Sequence, residues 1–211
     1  MDEKGQGGRT GARILALQGS PRRGGNTDVL LDLVLEAGAA LGATVEKVSL
    51  RDLKISPCLE IGECLKTGRC PIQDDMTGLY DKLTAAKVLI VASPIFFYGP
   101  SAQLKTAIDR GQALWARKYV LKQEPPARRG RGYVVSTAAT SGERLFEGLL
   151  MTVRYFFDVL YMDLAGQLLV RDLDRAGEVR KRPEALEQAR ALGEEAARIS
   201  TVNPEPFPVG V

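Results

Sequence analysis

The chain has 211 residues, 45% of them hydrophobic and 26% charged, which is an ordinary composition for one globular domain with a sizeable core. Its formal net charge is only +3, and no apolar run approaches the roughly 20 residues that span a bilayer, so neither nucleic acid nor a membrane is expected as a partner. Histidine is absent, which excludes Ser-His-Asp and Cys-His catalysis and every His-ligated metal site.

The three cysteines occur in a chain without a recognisable secretory signal, and such thiols are typical of a reducing compartment. We therefore expect a cytoplasmic protein. The polar, Gly-rich residues 1–12 are expected to form a flexible tail, and the Pro-rich residues 202–211 an extended one. Between them, residues 13–201 are expected to fold as one domain.

Strand and helix patterns alternate five times along this domain. In chain order, the hydrophobic periodicity predicts strand 13–18, helix 27–42, strand 44–50, helix 74–85, strand 87–92, helix 101–122, strand 133–137, helix 145–160, a strand within 161–170 and helix 183–201. Residues 124–132 are expected to form a loop. This alternation predicts a parallel sheet with helices on both faces, and ligands of such sheets bind beyond the carboxyl ends of the strands.

The first of these carboxyl ends leads into the sequence GSPRRGGNTD, residues 19–28. Small residues let a ligand approach the backbone, Ser20 offers a hydroxyl group, and Arg22 and Arg23 offer positive charge. Because a helix begins immediately afterwards, its free amide groups and its dipole face the same space. This arrangement predicts an anion site suited to phosphate, although it is neither a G-x-G-x-x-G nor a Walker loop. The alternative is a polar turn with Asn26 or Thr27 as the helix N-cap.

The third strand ends in Ser93 and Pro94 and is followed by four large apolar residues, 95–98, before Gly99. Exposing four such side chains in a loop is costly unless a ligand or a partner covers them. A flat aromatic cofactor or a second subunit would do so. The alternative is a loop folded into its own core.

The fourth strand leads into STAATSGE, residues 136–143, which offers hydroxyl groups and small residues with free amide groups. These groups could hydrogen-bond the polar edge of a planar ring. A helix entry capped by Thr140 or Ser141 is the alternative.

All three cysteines lie within residues 55–70, with the even spacing C-x5-C-x5-C. Zinc held by three thiolates and a carboxylate is one interpretation, but these spacings are longer than those of usual zinc sites. A redox pair would lack the C-x-x-C proximity of dithiol motifs. The favoured interpretation is a loop whose remaining thiols are small and buried.

Taken together, GSPRRGGNT after the first strand, SPIFFYGPSAQLK after the third and the strand order resemble the NADPH-dependent FMN reductase family over about residues 13–170. The cysteine segment is similar to that of the iron–sulfur flavoprotein branch. The resemblance implies a three-layer flavodoxin-like α/β fold, with a five-stranded parallel sheet in the order 2-1-3-4-5 and helices on both faces. It also implies a homodimer or homotetramer with the flavin near a subunit interface.

The resemblance implies three groups of FMN-binding residues. The phosphate would be held by Ser20, Arg22, Asn26 and Thr27. The ribityl chain and isoalloxazine ring would lie along Pro94, Ile95, Phe96, Phe97, Tyr98 and Gly99. The pyrimidine edge of the ring would be approached by Thr137, Ala138, Ser141, Gly142 and Glu143.

The cysteine pattern of the iron–sulfur branch looks like C-x2-C-x2-C-x5-C. This chain keeps Cys58, Cys64 and Cys70 but has Ile61 at the position of the second cysteine. Because a cubane normally takes four thiolates, a [4Fe–4S] cluster would need a further ligand, such as a nearby glutamate (Glu60 or Glu63) or a small molecule. We therefore expect no [4Fe–4S] cluster and assign no metal ligand, and the three cysteines remain candidates only.

The resemblance implies an FMN-dependent NAD(P)H oxidoreductase, with hydride transfer through FMN N5 and ping-pong delivery to a quinone, free flavin, nitroaromatic or metal-ion acceptor. Because the flavin carries the chemistry, no catalytic side chain is named. An electron-transfer flavoprotein that exchanges electrons with a ferredoxin-like protein is the alternative. A third interpretation is a binding module in which flavin is structural or absent.

Overall fold

A computed structural model describes residues 13–127 and 129–199. The two tails expected at 1–12 and 202–211 lie outside the described residues. Five strands form one parallel sheet in the order β2-β1-β3-β4-β5, which confirms the predicted topology. The strands are Arg13–Gln18 (β1), Thr44–Ser49 (β2), Val88–Pro94 (β3), Gly130–Thr137 (β4) and Met162–Val170 (β5).

Seven α-helices connect or flank the strands within the described residues. They are Asn26–Ala40 (α1), Cys64–Thr67 (α2), Met76–Ala85 (α3), Ala102–Arg110 (α4), Gln112–Trp115 (α5), Glu147–Val159 (α6) and Pro183–Ile199 (α7). Proline begins α7, as predicted, because the first helical position does not need an amide hydrogen. No helix in the described part of the chain is long and apolar enough to cross a membrane.

The sheet separates two apolar cores, one for each layer of helices. Helices α1 and α7 pack together on one face, where the aliphatic residues of α1 meet those of the strands. Helices α3 to α6 cover the other face. Strands β1, β3 and β4 are buried on both sides, and β1 and β3 are apolar along most of their length, as central parallel strands usually are.

Strand β4 begins at Gly130, earlier than the sequence predicted, and takes in part of the expected loop 124–132. The sequence Gly-Arg-Gly conceals this start because it has no apolar alternation. A Cβ atom at Gly132 would lie 2.3 Å from the Phe157 ring, so the aromatic ring of α6 occupies the space of a side chain there. Glycine is therefore needed at Gly132 because the Phe157 ring packs there, so the composition at the start of β4 does not indicate a strand.

The single helix expected at 101–122 is interrupted in the structure. Helix α4 ends at Arg110, Gly111 separates it from the short α5, and residues Ala116–Val120 continue as a π-helical turn. Glycine at the junction weakens helix continuation. The interruption matters because Arg110 and the residues after it face the cysteine segment.

Candidate functional site

A cleft opens at the carboxyl edge of the sheet, where the loops after β1, β3 and β4 meet. Eight of the residues expected at the flavin site line it: Ser20, Arg22, Asn26, Thr27, Pro94, Ile95, Phe96 and Thr137. Six further lining residues were not expected: Pro21, Gly25, Ala139, Leu173, Asp174 and Ala176. The cleft therefore has a polar end near α1 and an apolar wall from the loop after β3.

The loop after β1 is shaped by its own hydrogen bonds. The Ser20 hydroxyl accepts a hydrogen bond from the Arg22 amide at 3.2 Å, and the Gly24 amide donates to the Asp28 carboxylate at 2.7 Å. No side chain caps the N-terminus of α1, so the amide groups of its first turn remain available to a ligand. An uncapped helix N-terminus beside a serine hydroxyl and an arginine fits the phosphate of FMN.

Asn26 is buried, and its carboxamide is hydrogen-bonded to the segment that follows β5. Its Nδ2 donates to the carbonyl oxygens of Leu173 at 3.4 Å and Arg175 at 2.9 Å. Its Oδ1 accepts the amide of Val179 at 3.0 Å. The side chain thus fastens residues 173–179 against the start of α1, and it is not the helix N-cap considered from the sequence.

Thr27 lies at the base of the cleft and connects two of its walls. Its hydroxyl oxygen lies 2.7 Å from that of Thr137, the last residue of β4, and both side chains are buried. Thr27 is not an N-cap either, because Gly25 occupies that position. The pair places hydroxyl groups from the first and third predicted site loops within one hydrogen bond of each other.

The loop after β3 is a tight hairpin. Phe96 and Gly99 exchange two backbone hydrogen bonds of 3.0 Å, with Phe97 and Tyr98 at the tip. Both tip residues have positive φ angles, 50° and 63°, a conformation that is strained for bulky side chains. Phe96 faces the cleft, whereas the Phe97 side chain is fully exposed. The alternative of a loop folded into its own core is therefore wrong for the hairpin tip.

The hairpin rests on the first turn of α6 and on the loop that precedes it. A Cβ atom at Gly148 would come within 2.4 Å of the Tyr98 carbonyl oxygen, so a glycine is required for this close approach. A Cβ atom at Gly142 would lie 2.9 Å from the Tyr98 hydroxyl. Gly142 thus belongs to the support of the hairpin in this structure, not to the lining of the cleft.

The loop after β4 contributes less to the cleft than its sequence suggests. Ala138 is buried, its amide donates to Val170, and its carbonyl accepts from Leu173. The carbonyl groups of Ser141 and Gly142 both accept hydrogen bonds from Arg171. The alternative of a helix entry capped by Thr140 or Ser141 is wrong because α6 begins only at Glu147. Glu143 is exposed and does not line the cleft.

The segment after β5 is a fourth wall that the sequence analysis did not assign. Asp174 and Ala176 line the cleft, and the Arg22 guanidinium donates to the Asp174 carbonyl at 3.3 Å. The segment has a polar sequence without periodicity. The sequence could have indicated this wall only through its position beyond the carboxyl end of the last predicted strand, where ligands of parallel sheets bind.

The cysteine segment does not bury its thiols, contrary to the favoured interpretation. Cys58, Cys64 and Cys70 are all free and partly exposed, and they line one cavity of about 690 Å3. Ile61 lines the same cavity. Burial, and then the neighbouring Cys70 and Cys58, raise the pKa of Cys64 above its ordinary value. The three cysteines are therefore only partly buried, and Cys64 and Cys70 pack against the edge of the core.

A parallel sheet in this order, with a cleft between the loops after β1 and β3, defines a flavodoxin-like α/β protein. The comparison with known families is more specific. Residues 12–164 match the model of the NADPH-dependent FMN reductase family, and the chain belongs to this family.

Curated relatives agree with this assignment. An iron–sulfur flavoprotein of Methanocaldococcus jannaschii is 39% identical over 102 residues, which are 48% of this chain and 53% of that protein. The match thus spans about half of this relative's length. An iron–sulfur flavoprotein of Methanosarcina thermophila is 29% identical over 81% of this chain and 83% of that protein. A Bacillus subtilis protein named as an NAD(P)H-dependent FMN-containing oxidoreductase is 27% identical over 85% of this chain and 96% of its own.

Solved structures share the fold. The Trp repressor binding protein of Bacillus subtilis superposes with a TM-score of 0.61 and 27% identity, over 85% of this chain and 98% of that one. An NAD(P)H:quinone oxidoreductase of Methanothermobacter marburgensis has a TM-score of 0.63 at 17% identity, over 87% of this chain and 98% of that one. The latter likeness shows the fold alone. The family match and the curated relatives therefore agree on the family of this chain.

Proposed function

We propose that this FMN-dependent oxidoreductase takes a hydride from NAD(P)H and passes the electrons to a small-molecule acceptor, such as a quinone or a flavin. The observation that carries the proposal is the cleft itself, which joins an uncapped helix N-terminus to an apolar wall. When bound there, FMN would supply the redox chemistry, by accepting hydride at N5 and returning electrons in ping-pong order.

The side chains of the cleft would bind and orient the cofactor. The α1 amide groups, the Ser20 hydroxyl and the Arg22 guanidinium would hold the phosphate. Pro94, Ile95 and Phe96 would contact the apolar parts of the cofactor. Thr137 would present its hydroxyl at the base of the cleft, where Thr27 fixes its position.

The remaining expected contacts would depend on the exposed hairpin. Phe97 and Tyr98 stand at its tip with Gly99 behind them, and their exposure leaves them available to a ring or a second subunit. The loop after β4 would influence FMN binding only through its shape, and this applies to Ala138, Ser141, Gly142 and Glu143. No side chain needs to act as a nucleophile, which is consistent with a chain that has no histidine.

An electron-transfer flavoprotein with a ferredoxin-like partner is the second candidate. The cysteine cavity and the relatives named iron–sulfur flavoproteins favour it. In either case we propose that the chain lacks a [4Fe–4S] cubane. Such a cubane normally takes four thiolates and the chain has three cysteines. Three free thiols also favour a cytoplasmic location.

We further propose that the chain forms a homodimer or homotetramer. Four large apolar or aromatic side chains are exposed on adjoining clefts beside α5 and α6: Trp115, Tyr119, Met151 and Tyr155. A second copy would cover them. Light scattering on the FMN-loaded protein is expected to give two or four chains, and a monomer would contradict the proposal.

Anaerobic addition of NADH or NADPH to the FMN-loaded protein separates the functional candidates. Rapid bleaching of the flavin absorbance, followed by recovery when a quinone is added, is expected for the oxidoreductase. Bleaching by reduced ferredoxin alone would support the electron-transfer candidate. A folded protein that cannot be loaded with FMN would refute both, together with the site assignment.

A further inference from the structure

The Asp28 carboxylate supports the loop after β1 from outside the cleft. Asp28 is the third residue of α1, and its Oδ2 accepts a hydrogen bond from the Gly24 amide at 2.7 Å. Gly24 has a φ of 64°, so the bond fixes the loop at a residue whose left-handed backbone suits glycine. Asp28 does not line the cleft, whereas Gly25, the residue after Gly24, does. The carboxylate therefore holds the shape of the loop without contacting a ligand.

This support brings a negative charge close to the proposed phosphate site. A carboxylate in the first turn of a helix interacts favourably with the helix dipole, and it competes there with an anionic ligand. Like charges repel each other more strongly where water is partly excluded, and the Asp28 side chain is only 11% exposed. An uncompensated Asp28 would therefore oppose phosphate binding and offset the attraction of Arg22.

Lys47 of β2 supplies the compensating charge. Its Nζ lies 2.5 Å from Asp28 Oδ1 and 2.6 Å from Asp32 Oδ1. The two oxygens of Asp28 are thus divided between the ammonium group of Lys47 and the amide of Gly24. Although burial acts to lower the pKa of Lys47, its hydrogen bonds to Asp28 and Asp32 raise it above the ordinary value. The ammonium group is therefore charged at neutral pH.

The position of Lys47 in the sheet explains why it reaches α1. Lys47 pairs with Ala16 of β1, and Val45, two residues earlier, packs into the core on the α1 side. Residues two apart in a strand share a face, so Lys47 also faces α1. Its side chain is 29% exposed, compared with 72% for Arg23 in the surface pair with Asp52. Solvent therefore screens the pair of Lys47 less than it screens that surface pair.

We propose that Lys47 is a positioning residue of the phosphate site, which neutralises Asp28 so that this carboxylate can hold Gly24 without repelling the FMN phosphate. The inference rests on the proposed function, in which FMN binds with its phosphate at the N-terminus of α1. Lys47 does not line the cleft and acts through Asp28. It therefore contributes to the discrimination between FMN and riboflavin, which has no phosphate.

Titration of the flavin-free full chain with FMN and with riboflavin tests the proposal, with flavin fluorescence as the readout. Lys47→Met keeps a side chain of similar length and removes the charge. FMN binding is expected to weaken about tenfold and riboflavin binding by less than about twofold, because only FMN carries the repelled charge. The loss for FMN should be smaller at high salt. Equal losses for both flavins, or no loss for either, would overturn the proposal.

A second neutral substitution guards against a folding defect in the first. Lys47→Gln removes the charge but can still donate a hydrogen bond to Asp28, and it should show the same selective loss of FMN binding. Lys47→Arg keeps the charge and should keep the preference for FMN. A Lys47→Gln variant that retains the preference, or a Lys47→Arg variant that loses it, would contradict a role of the charge.

Asp28→Asn separates an effect through Asp28 from a direct attraction between Lys47 and the phosphate. Asparagine keeps an oxygen that can accept the Gly24 amide, but it carries no charge. In the Asp28→Asn background, Lys47→Met is expected to change FMN affinity by less than about twofold, because the two residues are coupled. A tenfold loss there as well would show that Lys47 acts without Asp28, and the proposal would fail.

Asp32→Asn is the matched control. Asp32 is the other partner of Lys47, but it lies one turn farther along α1 and its side chain is 50% exposed. The ratio of FMN to riboflavin affinity should change by less than about twofold, and a loss as large as that of Lys47→Met would refute the inference. Bleaching of the FMN-loaded chain by NADPH is a separate readout. Without bleaching, the proposed function fails even if the selective loss is seen. With bleaching but no selective loss, only the inference fails.

Discussion

The hydroxyl groups of Thr27 and Thr137 lie 2.7 Å apart and join the first turn of α1 to the carboxyl end of β4. Both are buried at the base of the cleft. Either hydroxyl can donate the hydrogen bond, and the other then accepts it. A hydrogen bond between residues 110 positions apart in the chain therefore joins α1 to β4 at the base of the cleft.

Thr27→Val tests this connection because it preserves the side-chain shape and removes the hydroxyl. Leaving the Thr137 hydroxyl unpaired should lower the free energy of unfolding by about 1–3 kcal/mol. FMN affinity should fall about tenfold, which corresponds to about 1.4 kcal/mol. Urea unfolding and fluorescence titration measure the two effects. Thr84→Val, at an exposed helix position, is the control, and equal losses in both variants would contradict the assignment.

Arg22 and Arg23 are adjacent but have different surroundings. Arg22 lines the cleft, whereas Arg23 forms an exposed ion pair with Asp52 at 2.8 Å. Arg22→Ala should weaken FMN binding about tenfold at low salt, and less at high salt because salt screens the charge. Arg23→Ala should change FMN affinity by less than about twofold, because Arg23 does not line the cleft and exposed ion pairs contribute little. Similar losses in both variants would show that net charge alone matters.

Asn26→Ala should release the segment after β5 from the cleft. The Val179 amide and the carbonyl of Arg175 would lose their partner, at a cost of about 2 kcal/mol in the free energy of unfolding. Trypsin should then cleave faster after Arg175. Gel analysis of timed digests measures this, with Thr84→Ala as the control. Unchanged digestion would mean that Asn26 does not hold the segment.

Replacing the aromatic residues at the hairpin tip should make the protein more stable but less active. Phe97→Asn together with Tyr98→Gly places residues that accept positive φ at both strained positions. The free energy of unfolding should rise by about 0.5–1 kcal/mol. Quinone reduction should slow, because the exposed aromatic side chains are lost. A variant that is both more stable and fully active would show that the strained aromatic tip has no role in the reaction.

The ion pair between Asp74 and Arg110 should make the cysteine segment sensitive to acid. Burial acts to raise the pKa of Asp74, but hydrogen bonds from Arg110 and from the amide groups of Ser56 and Met76 lower it below its ordinary value. Since the folded pKa is depressed, the stabilisation is complete above the unfolded pKa of about 3.9 and is lost as the pH falls through the folded value.

Asp74→Asn removes this pH dependence. At neutral pH the variant should lose about 3 kcal/mol, because the buried Arg110 charge is left without its partner. Below about pH 4 the difference between the variant and the unchanged protein should shrink. Urea unfolding at several pH values measures this. A difference that stays constant down to pH 2 would exclude the Asp74 carboxylate as the cause.

The order of elements followed from the sequence because apolar periodicity is a local property. Strand β1 was predicted within its observed bounds, and α7 within two residues of them. Helix 101–122 and the start of β4 were predicted wrongly. The helix is interrupted at Gly111, a local signal that the apolar periodicity outweighed. The start of β4 depends on a distant contact, the ring of Phe157 against Gly132, which no local pattern contains.

By itself, the sequence determined the parallel α/β fold, the family and the three loops that approach the cleft, since residue types and their spacing carry that information. Only the tertiary structure decided which polar groups are already hydrogen-bonded and which thiols are exposed. Asn26 and Ala138 were both expected at the flavin. In the structure, the Asn26 carboxamide and the Ala138 backbone groups form hydrogen bonds with the end of β5 and the segment after it. The thiols predicted to be buried face a cavity. Hydrogen-bond partners and exposure arise only when distant segments pack together, so they cannot be deduced from spacing along the chain.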